Sequence, residues 1–202
     1  MSTVKSRREQ YSQATRAALV EAATRRFAEH GYAGTALEDV AADIQATRGA
    51  VYHHFANKIA LFEAVFEELE TEVVQRSAGA AAGVDDPWQA AFAALDTYLD
   101  VCCDPTYGKL VWQEAPLALG WQRWRECEEK FAYGLIGQLL AALMDSGHLE
   151  RHPLDTMTNT TFWMLGAAGT ALSEAPEAEK TRVRAEYATM IGRLMAGLRT
   201  NP

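Results

Sequence analysis

The sequence has little cysteine and no long apolar run. Three cysteines among 202 residues cannot all pair, so we expect no disulfide framework and a cytoplasmic protein in a reducing environment. No apolar stretch approaches the roughly 20 residues that a membrane-spanning helix needs. The N-terminal segment MSTVKSRREQYSQ is basic and polar, so it does not predict a secretory signal. These features disfavour a membrane protein and a disulfide-stabilised secreted protein.

The sequence also lacks the motifs of common enzymes. It contains no glycine-rich phosphate loop, no His-Glu-x-x-His motif and no Gly-x-Ser-x-Gly motif. We therefore expect no catalytic residues and no cofactor. The alternative is an enzyme that converts a hydrophobic substrate in a helical domain, and turnover of a bound ligand would support it.

Metal binding is not expected either. His148 and His152 have a spacing that would suit a metal site on one helix. The flanking Gly147 and Pro153 predict a loop instead, and no third ligand is evident.

The net charge of −8 is unevenly distributed along the chain. Residues 1–58 hold eight Lys or Arg and six Asp or Glu, which gives a net charge of +2. Residues 59–202 hold eleven Lys or Arg and 21 Asp or Glu, which gives a net charge of −10. The basic excess begins with Lys5, Arg7 and Arg8, which could form an arm in a DNA minor groove or a solvated tail. A DNA-binding segment followed by an acidic domain would explain this distribution.

Apolar residues recur at helical spacing along most of the chain, and no segment alternates between apolar and polar residues. We therefore predict an all-α fold of about nine helices. The predicted helical segments are 12–30, two short helices within 35–55, 58–76, 87–103, irregular pieces from 105 to 118, 119–145, 153–172, and a last helix from 176. The Ala/Gly-rich stretch 77–86 predicts a loop or a domain boundary. We expect an N-terminal DNA-binding domain at 1–57 and a C-terminal helical domain at 58–202, connected by the helix from Lys58.

The two short helices predicted within 35–55 carry the clearest functional signal. Thr35 and Glu38 have the Thr-x-x-Glu spacing of a capping box, and Thr47 can cap the second helix. Six apolar residues would form a small core: Leu19, Phe27, Leu37, Val40, Val51 and Phe55. Two short helices joined by a tight turn, with donor-bearing side chains on the second, indicate a helix-turn-helix that reads a DNA major groove.

A pattern of residue choices runs through residues 15–62: Gly34-Thr35, Val40-Ala41, Gly49-Ala50-Val51-Tyr52-His53-His54-Phe55, Asn57-Lys58 and Leu61-Phe62. This pattern resembles the DNA-binding region of the TetR/AcrR family of transcriptional regulators. Residues 116–125, PLALGWQRWR, resemble one branch of the family's C-terminal domains.

The resemblance implies a homodimeric, all-helical repressor that binds a double-stranded DNA operator through its first three helices. A small-molecule effector in the C-terminal domain would shift the fourth helix and release the operator. An activator, or a helical adaptor without DNA binding, are the alternatives.

One position departs from the family pattern. The turn between the second and third helices normally has Gly followed by Val, and this sequence has Gln45-Ala46. Either Gln45 adopts a left-handed backbone conformation, which is costly for a non-glycine residue, or the turn differs.

The resemblance and the side-chain chemistry together predict the DNA contacts. Arg48 could donate two hydrogen bonds to guanine, although a phosphate contact or a solvated arginine is the alternative. Gly49 and Ala50 would leave room for close approach or simply for packing, and His53 could contact a base or a phosphate. The predicted phosphate contacts are Thr35, Thr47, Tyr52, His54 and Lys58. Capping alone would explain Thr35 and Thr47, and His54 could hold the helices together.

The C-terminal domain is rich in large apolar side chains, and such residues line most ligand pockets. We expect a small, largely apolar effector, because no cluster of buried charge is evident. The candidate pocket residues are Trp112, Gln113, Leu117, Trp121, Phe131, Met157, Thr161 and Met164.

The last two predicted helices carry the candidate dimer interface. Gly166 and Gly169 belong to a run of small residues that would permit close helix approach, either between subunits or within one. The last helix adds an apolar face: Val183, Tyr187, Ile191, Leu194 and Leu198.

Overall fold

The computed structural model describes residues 7–200, without the side chain of Arg8. Lys5 of the basic N-terminal segment lies outside the described residues. The helices are α1 (Arg7–Gly34), α2 (Leu37–Asp43), α3 (Arg48–His54), α4 (Lys58–Ala82), α5 (Pro87–Cys102), α6 (Pro105–Tyr107), the π-helix π1 (Gly108–Glu114), α7 (Ala115–Leu119), α8 (Trp121–Asp145), α9 (Leu154–Glu174) and α10 (Glu177–Ala196).

The prediction of an all-α fold with about nine helices is confirmed. The segments α6, π1 and α7 follow one another without a break, so they count as one helical stretch. Across residues 7–200 the β-structure is limited to one isolated bridge between Leu149 and Arg199. None of the helices in this range combines the length and apolar character needed to cross a membrane.

The chain forms two compact units, one that ends at Glu68 and one that begins at Leu69. The boundary between them falls inside α4, which is continuous from Lys58 to Ala82. The division into functional domains at 1–57 and 58–202 stays a prediction.

The first unit has the small core that the sequence predicts. All six predicted residues are buried: Leu19, Phe27, Leu37, Val40, Val51 and Phe55. Phe62 from α4 packs edge-on against Phe27, with ring centroids 5.1 Å apart. Burial of large side chains from all four helices fixes the orientation of α2 and α3 on α1.

Helix α1 bends at Gly31, where the predicted helix end lies. Gly31 has φ 73° and ψ 170°, a conformation that is essentially restricted to glycine. The helical run nevertheless extends through this kink to Gly34, and it begins at Arg7 rather than at the predicted Ser12.

Two predicted helix starts in the second unit are confirmed. The Gln89 N–H donates to the Asp86 carboxylate at 2.8 Å, and the Tyr107 N–H donates to the Asp104 carboxylate at 2.9 Å. In both cases proline follows the capping aspartate, where its missing N–H is not needed.

The predicted loop at 77–86 is wrong over most of its length, because α4 continues to Ala82. Alanine is the strongest helix former, and the alanines of this stretch outweigh its two glycines. The connection to α5 is limited to residues 83–86.

The predicted irregular helix between 105 and 118 is confirmed as the π-helix π1 followed by α7. Pro116 has no N–H, and in an α-helix its ring would crowd the carbonyl of Trp112. The wider π-helical turn relieves this contact, and the Ala115 N–H donates to the carbonyl of Leu110 instead.

Candidate functional site

Helix α3 is held by a cap and by a buried face. The Ala50 N–H donates to Thr47 Oγ1 at 3.2 Å, so the predicted Thr47 cap is confirmed. Val51 and Phe55 are buried in the core of the first unit. The opposite face of α3, with Arg48, Gly49, Tyr52 and His53, is therefore exposed.

Arg48 is held over this exposed face. Its side chain is 71% exposed, and Nε lies 3.1 Å from Glu38 Oε1. The guanidinium also lies over the Tyr52 ring, 5.4 Å from the centroid. The hydrogen bond with Tyr52 and the charge of Glu38 both raise the pKa of Arg48, so the side chain keeps its positive charge.

The small residues at the start of α3 leave open space. Gly49 is exposed, and a β-carbon there would meet Thr47 Oγ1 at an ordinary 3.8 Å. Ala50 is half-buried. Packing within the protein therefore does not require glycine at position 49.

The turn between α2 and α3 keeps the left-handed residue that glycine normally provides. Gln45 has φ 54°. The Gln45 N–H donates to the Ala42 carbonyl at 3.1 Å, and the Ala46 N–H donates to the Ala41 carbonyl at 2.9 Å. This pair of bonds is the Schellman pattern of a helix C-terminus. The first of the two alternatives for Gln45-Ala46, the costly left-handed conformation, is therefore the observed one.

The predicted capping box at Thr35 and Glu38 is wrong. Helix α2 begins one residue later, at Leu37, and its N-cap residue Ala36 offers no side-chain cap. The Thr35 side chain is 2% exposed, and its hydroxyl donates to the Gly31 carbonyl at 2.9 Å. Thr35 thus satisfies a carbonyl at the bend of α1, and its side chain is not presented to a phosphate.

Lys58 also turns towards the end of α1. Its ammonium donates to the carbonyls of Tyr32 at 2.8 Å and Thr35 at 3.0 Å, and it lies 4.5 Å from the centroid of the Tyr32 ring. A cation at a helix C-terminus compensates the unpaired carbonyls there. The structure therefore gives Lys58 a structural role that the sequence pattern did not predict.

His54 lies between the exposed and buried faces of α3 and is half-buried. Its ring packs against His53 at 5.1 Å and against Phe55 at 6.4 Å. Burial, followed by the nearby charges of His53 and Arg16, lowers the pKa of His54. The imidazole is consequently less able to carry a charge than an ordinary histidine.

An ion pair that the sequence pattern did not predict fixes α2 on α1. Arg26 donates two hydrogen bonds to the Asp43 carboxylate, at 2.7 and 2.6 Å. The hydrogen bond from Arg26 lowers the pKa of Asp43. The bidentate geometry holds the end of α2, directly before the Gln45 turn.

The second unit encloses a cavity of about 120 Å³. Its walls come from α4, α5, π1, α8, α9 and α10, and are mostly aliphatic. Of the predicted pocket residues, Trp112, Thr161 and Met164 line this cavity.

The other five predicted pocket residues lie outside this cavity. Leu117 is 84% exposed and Trp121 is 58% exposed, because both flank the turn at Gly120 between α7 and α8. Gln113 donates to the Ser173 carbonyl at 2.6 Å. Phe131 lies under the Lys130 ammonium, and Met157 is buried elsewhere in the core. Helical spacing identifies a buried face but does not show which part of that face meets a cavity.

Two buried carboxyl groups line the same cavity, contrary to the expectation that no buried charge is present. Glu70 on α4 is 2% exposed, and Glu128 on α8 is 3% exposed. The Tyr107 hydroxyl donates to Glu70 Oε1 at 2.7 Å. Burial raises the pKa of Glu70 to about 7, and burial together with the charge of Glu70 raises the pKa of Glu128 well above its ordinary value.

The sequence does contain a signal for these two carboxyl groups. Glu70 lies four residues after Phe66 and three before Val73, within the apolar stripe of α4. Glu128 lies four residues after Trp124 and four before Ala132 on α8. An acidic residue inside an apolar stripe predicts a buried carboxyl group.

Gly169 of α9 packs against π1 of the same subunit, which is one of the two alternatives for this residue. A β-carbon at Gly169 would fall inside the contact distance of the Trp112 indole, whereas one at Gly166 would lie at an ordinary 3.6 Å from it. Gly169 therefore permits π1 to pack closely on α9. A dimer contact of Gly166 stays a prediction.

Helix α10 has two different faces. Ile191 is buried and lines the cavity. Leu194 is exposed together with Met190, Val183 and Tyr187 are half-buried, and Leu198 is exposed two residues after the end of the helix. The outer face of α10 is therefore a row of accessible apolar side chains.

Two family models match the chain. Residues 88–198 match the tetracyclin repressor-like C-terminal domain, and residues 19–65 match the bacterial regulatory proteins of the tetR family. The first match alone covers more than half of the sequence. The chain belongs to the TetR family.

Individual relatives agree with this assignment. The chain is 23% identical over 155 residues to the Transposon Tn10 TetC protein of Escherichia coli. The aligned region covers 77% of this chain and 78% of that protein. It is 33% identical over 125 residues to the probable acrEF/envCD operon repressor of E. coli K12, covering 60% of this chain and 54% of the repressor. TetR-family proteins are transcriptional regulators, many of them repressors, so the chain is a DNA-binding regulator rather than an enzyme.

Solved structures share the fold. A TetR-family regulator from Pectobacterium atrosepticum is 25% identical, covers 98% of this chain and 100% of its own, and superposes with a TM-score of 0.83. RolR in complex with resorcinol is 20% identical and covers 96% and 97% of the two chains, with a TM-score of 0.69.

Proposed function

We propose that this TetR-family chain is a ligand-responsive repressor that binds a palindromic operator as a homodimer. In this proposal a small, mainly apolar molecule enters the cavity of the second unit and releases the DNA. The observation that carries the proposal is the exposed, donor-bearing face of α3, directly opposite its buried face.

Base contacts are proposed for Arg48, Gly49, Ala50 and His53. The Arg48 guanidinium can reach guanine O6 and N7 if it leaves Glu38, and an exposed ion pair of this kind is weak. The absence of a side chain at Gly49 and the small side chain of Ala50 suit close approach of a base pair. Arg48 is therefore expected to contribute to sequence selectivity.

Phosphate contacts are proposed for Thr47, Tyr52 and His54. Thr47 uses its oxygen as the cap acceptor, so its hydroxyl proton is available to a phosphate. The Tyr52 ring is exposed and carries a hydroxyl donor. Thr35 and Lys58 are left out, since their side chains already donate to carbonyls of the protein.

Dimerisation is proposed through the outer face of α10. Val183, Tyr187, Leu194 and Leu198 supply the apolar row, together with Met190. Several large apolar side chains on one exposed helix face are typical of an interaction surface. A two-fold dimer would match a palindrome whose half-sites lie about 34 Å apart or somewhat more.

The effector site is proposed to be the cavity of the second unit. Resorcinol, the ligand in the RolR complex, is a one-ring molecule, and a cavity of about 120 Å³ has the corresponding scale. Helix α4 links effector and DNA in this proposal, because it lines the cavity at Glu70, Val73 and Ser77 and begins at Lys58.

The test is a titration of the full chain with DNA from its own promoter region, measured by fluorescence anisotropy at several salt concentrations. We expect a sequence-selective complex with the mass of a dimer on DNA and affinity that falls steeply with salt. Arg48→Ala should lower the affinity for the selected site by about ten-fold or more, while Arg25→Ala, an exposed α1 arginine paired with Glu21, should change it little. Absence of sequence-selective binding at moderate salt would contradict the proposal.

A further inference from the structure

The cavity of the second unit combines apolar walls with two buried carboxyl groups. Glu70 and Glu128 enter it from α4 and α8, and the remaining walls are formed largely by Leu, Ile, Val, Ala and aromatic side chains. None of the residues that line the cavity is Lys, Arg or His. The carboxyl groups therefore have no cation beside them in the cavity wall, and burial of an uncompensated carboxylate is costly.

Three polar atoms in the cavity wall point to a ligand with polar groups. Glu128 Oε1, Ser77 Oγ and Trp112 Nε1 are buried without a hydrogen-bond partner among residues 7–200, and all three residues line the cavity. An ionised Glu128 only accepts hydrogen bonds, Trp112 Nε1 only donates, and the Ser77 hydroxyl can do either. Buried polar atoms in folded proteins nearly always have a partner, so these atoms mark a place where a ligand can bind.

The chemistry of the acceptors selects the class of ligand. A hydrogen bond from a cationic donor to a carboxylate is about twice as strong as one between neutral groups. An anionic ligand would be repelled by the carboxylates. A cavity of about 120 Å³ is slightly smaller than an engineered cavity of ~150 Å³ that holds benzene. The space therefore has the scale of one ring or a short chain, and the carboxyl groups favour a molecule that carries a cationic donor.

We propose that the effector is a small lipophilic cation, a protonated amine on about one ring, whose N–H groups bind the carboxylates of Glu128 and Glu70. This inference rests on the proposed function, since it names the effector class of the same cavity. The apolar walls hold the ring, and Ser77 provides a further hydrogen-bonding group next to the ammonium.

The proposal carries a pH dependence. At neutral pH a large share of the buried carboxyl groups is protonated, because burial raises the pKa of Glu70 to about 7 and that of Glu128 well above its ordinary value. The other titratable groups facing them are Tyr98, Tyr107 and Cys102, whose pKa values burial raises further above neutrality. A cation binds the ionised carboxylates and so displaces protons, which makes binding tighter as the pH rises.

The test uses the full-length protein and three small ligands that share a phenyl ring on a two-carbon chain and differ in their polar group. Isothermal titration calorimetry would compare 2-phenylethylamine, 2-phenylethanol and phenylacetate at pH 6 and pH 8. We expect the amine to bind about ten-fold or more tightly than the alcohol, phenylacetate to bind least, and the affinity for the amine alone to rise between pH 6 and pH 8. This comparison needs no substitution, so it does not depend on the folding of a variant.

Two isosteric variants and a matched control locate the contact. Glu128→Gln and Glu70→Gln should each weaken the amine about ten-fold while leaving the alcohol unchanged or slightly tighter. Glu126→Gln removes an exposed carboxylate that is paired with Arg123 and lies on α8, the helix of Glu128. This control should change neither the affinity for the amine nor the affinity for the alcohol. Thermal unfolding of each variant would confirm that it is folded.

The proposal is overturned if the alcohol binds as tightly as the amine, if the glutamine variants keep full affinity for the amine, or if no probe binds at either pH. These outcomes leave the proposed regulatory function standing as long as the same protein preparation binds DNA selectively. Loss of selective DNA binding would instead contradict the proposed function itself.

Discussion

Gln45 holds the turn before the DNA-reading helix in a backbone conformation that L-amino acids avoid. Its φ of 54° lies in the left-handed region, where a side chain approaches the carbonyl oxygen and costs roughly 1–2 kcal/mol. The bonds from the Gln45 and Ala46 N–H groups to α2, together with the Arg26–Asp43 ion pair, hold the turn in place. The strain is therefore local, and the angle between α2 and α3 is set by packing.

Replacement of Gln45 by glycine should stabilise the protein. Gln45→Gly relieves the left-handed strain, partly offset by the greater freedom of glycine in the unfolded chain, for a net gain of about 0.5–1 kcal/mol. Urea unfolding of the full chain measures this difference. Ala46→Gly is the matched control and should destabilise, because the backbone of Ala46 does not have positive φ. Equal effects of the two substitutions would contradict the role of strain.

Lys58 offers a test between a structural role and a DNA contact. Lys58→Met keeps the stem but removes the donors to the Tyr32 and Thr35 carbonyls, so we expect a loss of about 1–3 kcal/mol in unfolding free energy. The dependence of DNA affinity on salt should stay unchanged, whereas loss of one phosphate contact would reduce its logarithmic slope by about one. Arg25→Met is the control for loss of a surface charge.

At the scale of elements, the packing of π1 on α9 decides the shape of the cavity. The π-helical turn before Pro116 places Trp112 against Gly169, and the same tryptophan forms part of the cavity wall. An indole this close to a helix backbone leaves no room for any side chain at position 169. Gly169 is thus explained within one subunit, and the outer face of α10 is the proposed interface.

Two glycine substitutions on α9 should therefore have opposite effects. Gly169→Ala forces the Trp112 ring to move and should cost about 1–3 kcal/mol through overpacking. Gly166→Ala places a methyl group at an ordinary 3.6 Å from the same ring and should be neutral or stabilising, because alanine favours the helix. Thermal unfolding compares the two, and a milder effect at 169 than at 166 would show that Trp112 is not held there.

At the scale of the whole molecule, charge is separated along the chain. The positive net charge lies in residues 1–58, where the helix-turn-helix is, and the negative net charge lies in residues 59–202. Two of the acidic residues counted in 59–202, Glu70 and Glu128, are buried inside the second unit rather than at its surface. Stability and ligand binding of this unit should both depend on pH for that reason.

The buried carboxyl groups should make the protein less stable as the pH rises. Their folded-state pKa values are raised above the unfolded value of 4.5, so their contribution is fully present below that value and is lost as the pH rises through about 7 and above. The double variant Glu70→Gln/Glu128→Gln should be more stable than the natural chain at pH 8, on the order of 1–3 kcal/mol, and similar to it at pH 5. Urea unfolding at pH 5 and pH 8 measures the free energy of unfolding of both proteins. If the double variant differed from the natural chain by the same amount at both pH values, the role of the buried carboxyl groups would be contradicted.

The sequence by itself determined most of the helices, the Thr47 cap and the buried positions of the first unit, because periodicity and capping depend on residues within one or two helical turns. Apolar periodicity identified Leu19, Phe27, Val51 and Phe55 as buried, and the threonine directly before the second short helix identified Thr47 as its cap. The tertiary structure alone decided the roles of Lys58, Glu70 and Gly169, whose partners lie 26, 37 and 57 residues away, and it moved Thr35 from a cap to the bend of α1. A pattern of spacings records which face of a helix is buried, but only packing decides which distant side chain meets that face and where a cavity is left.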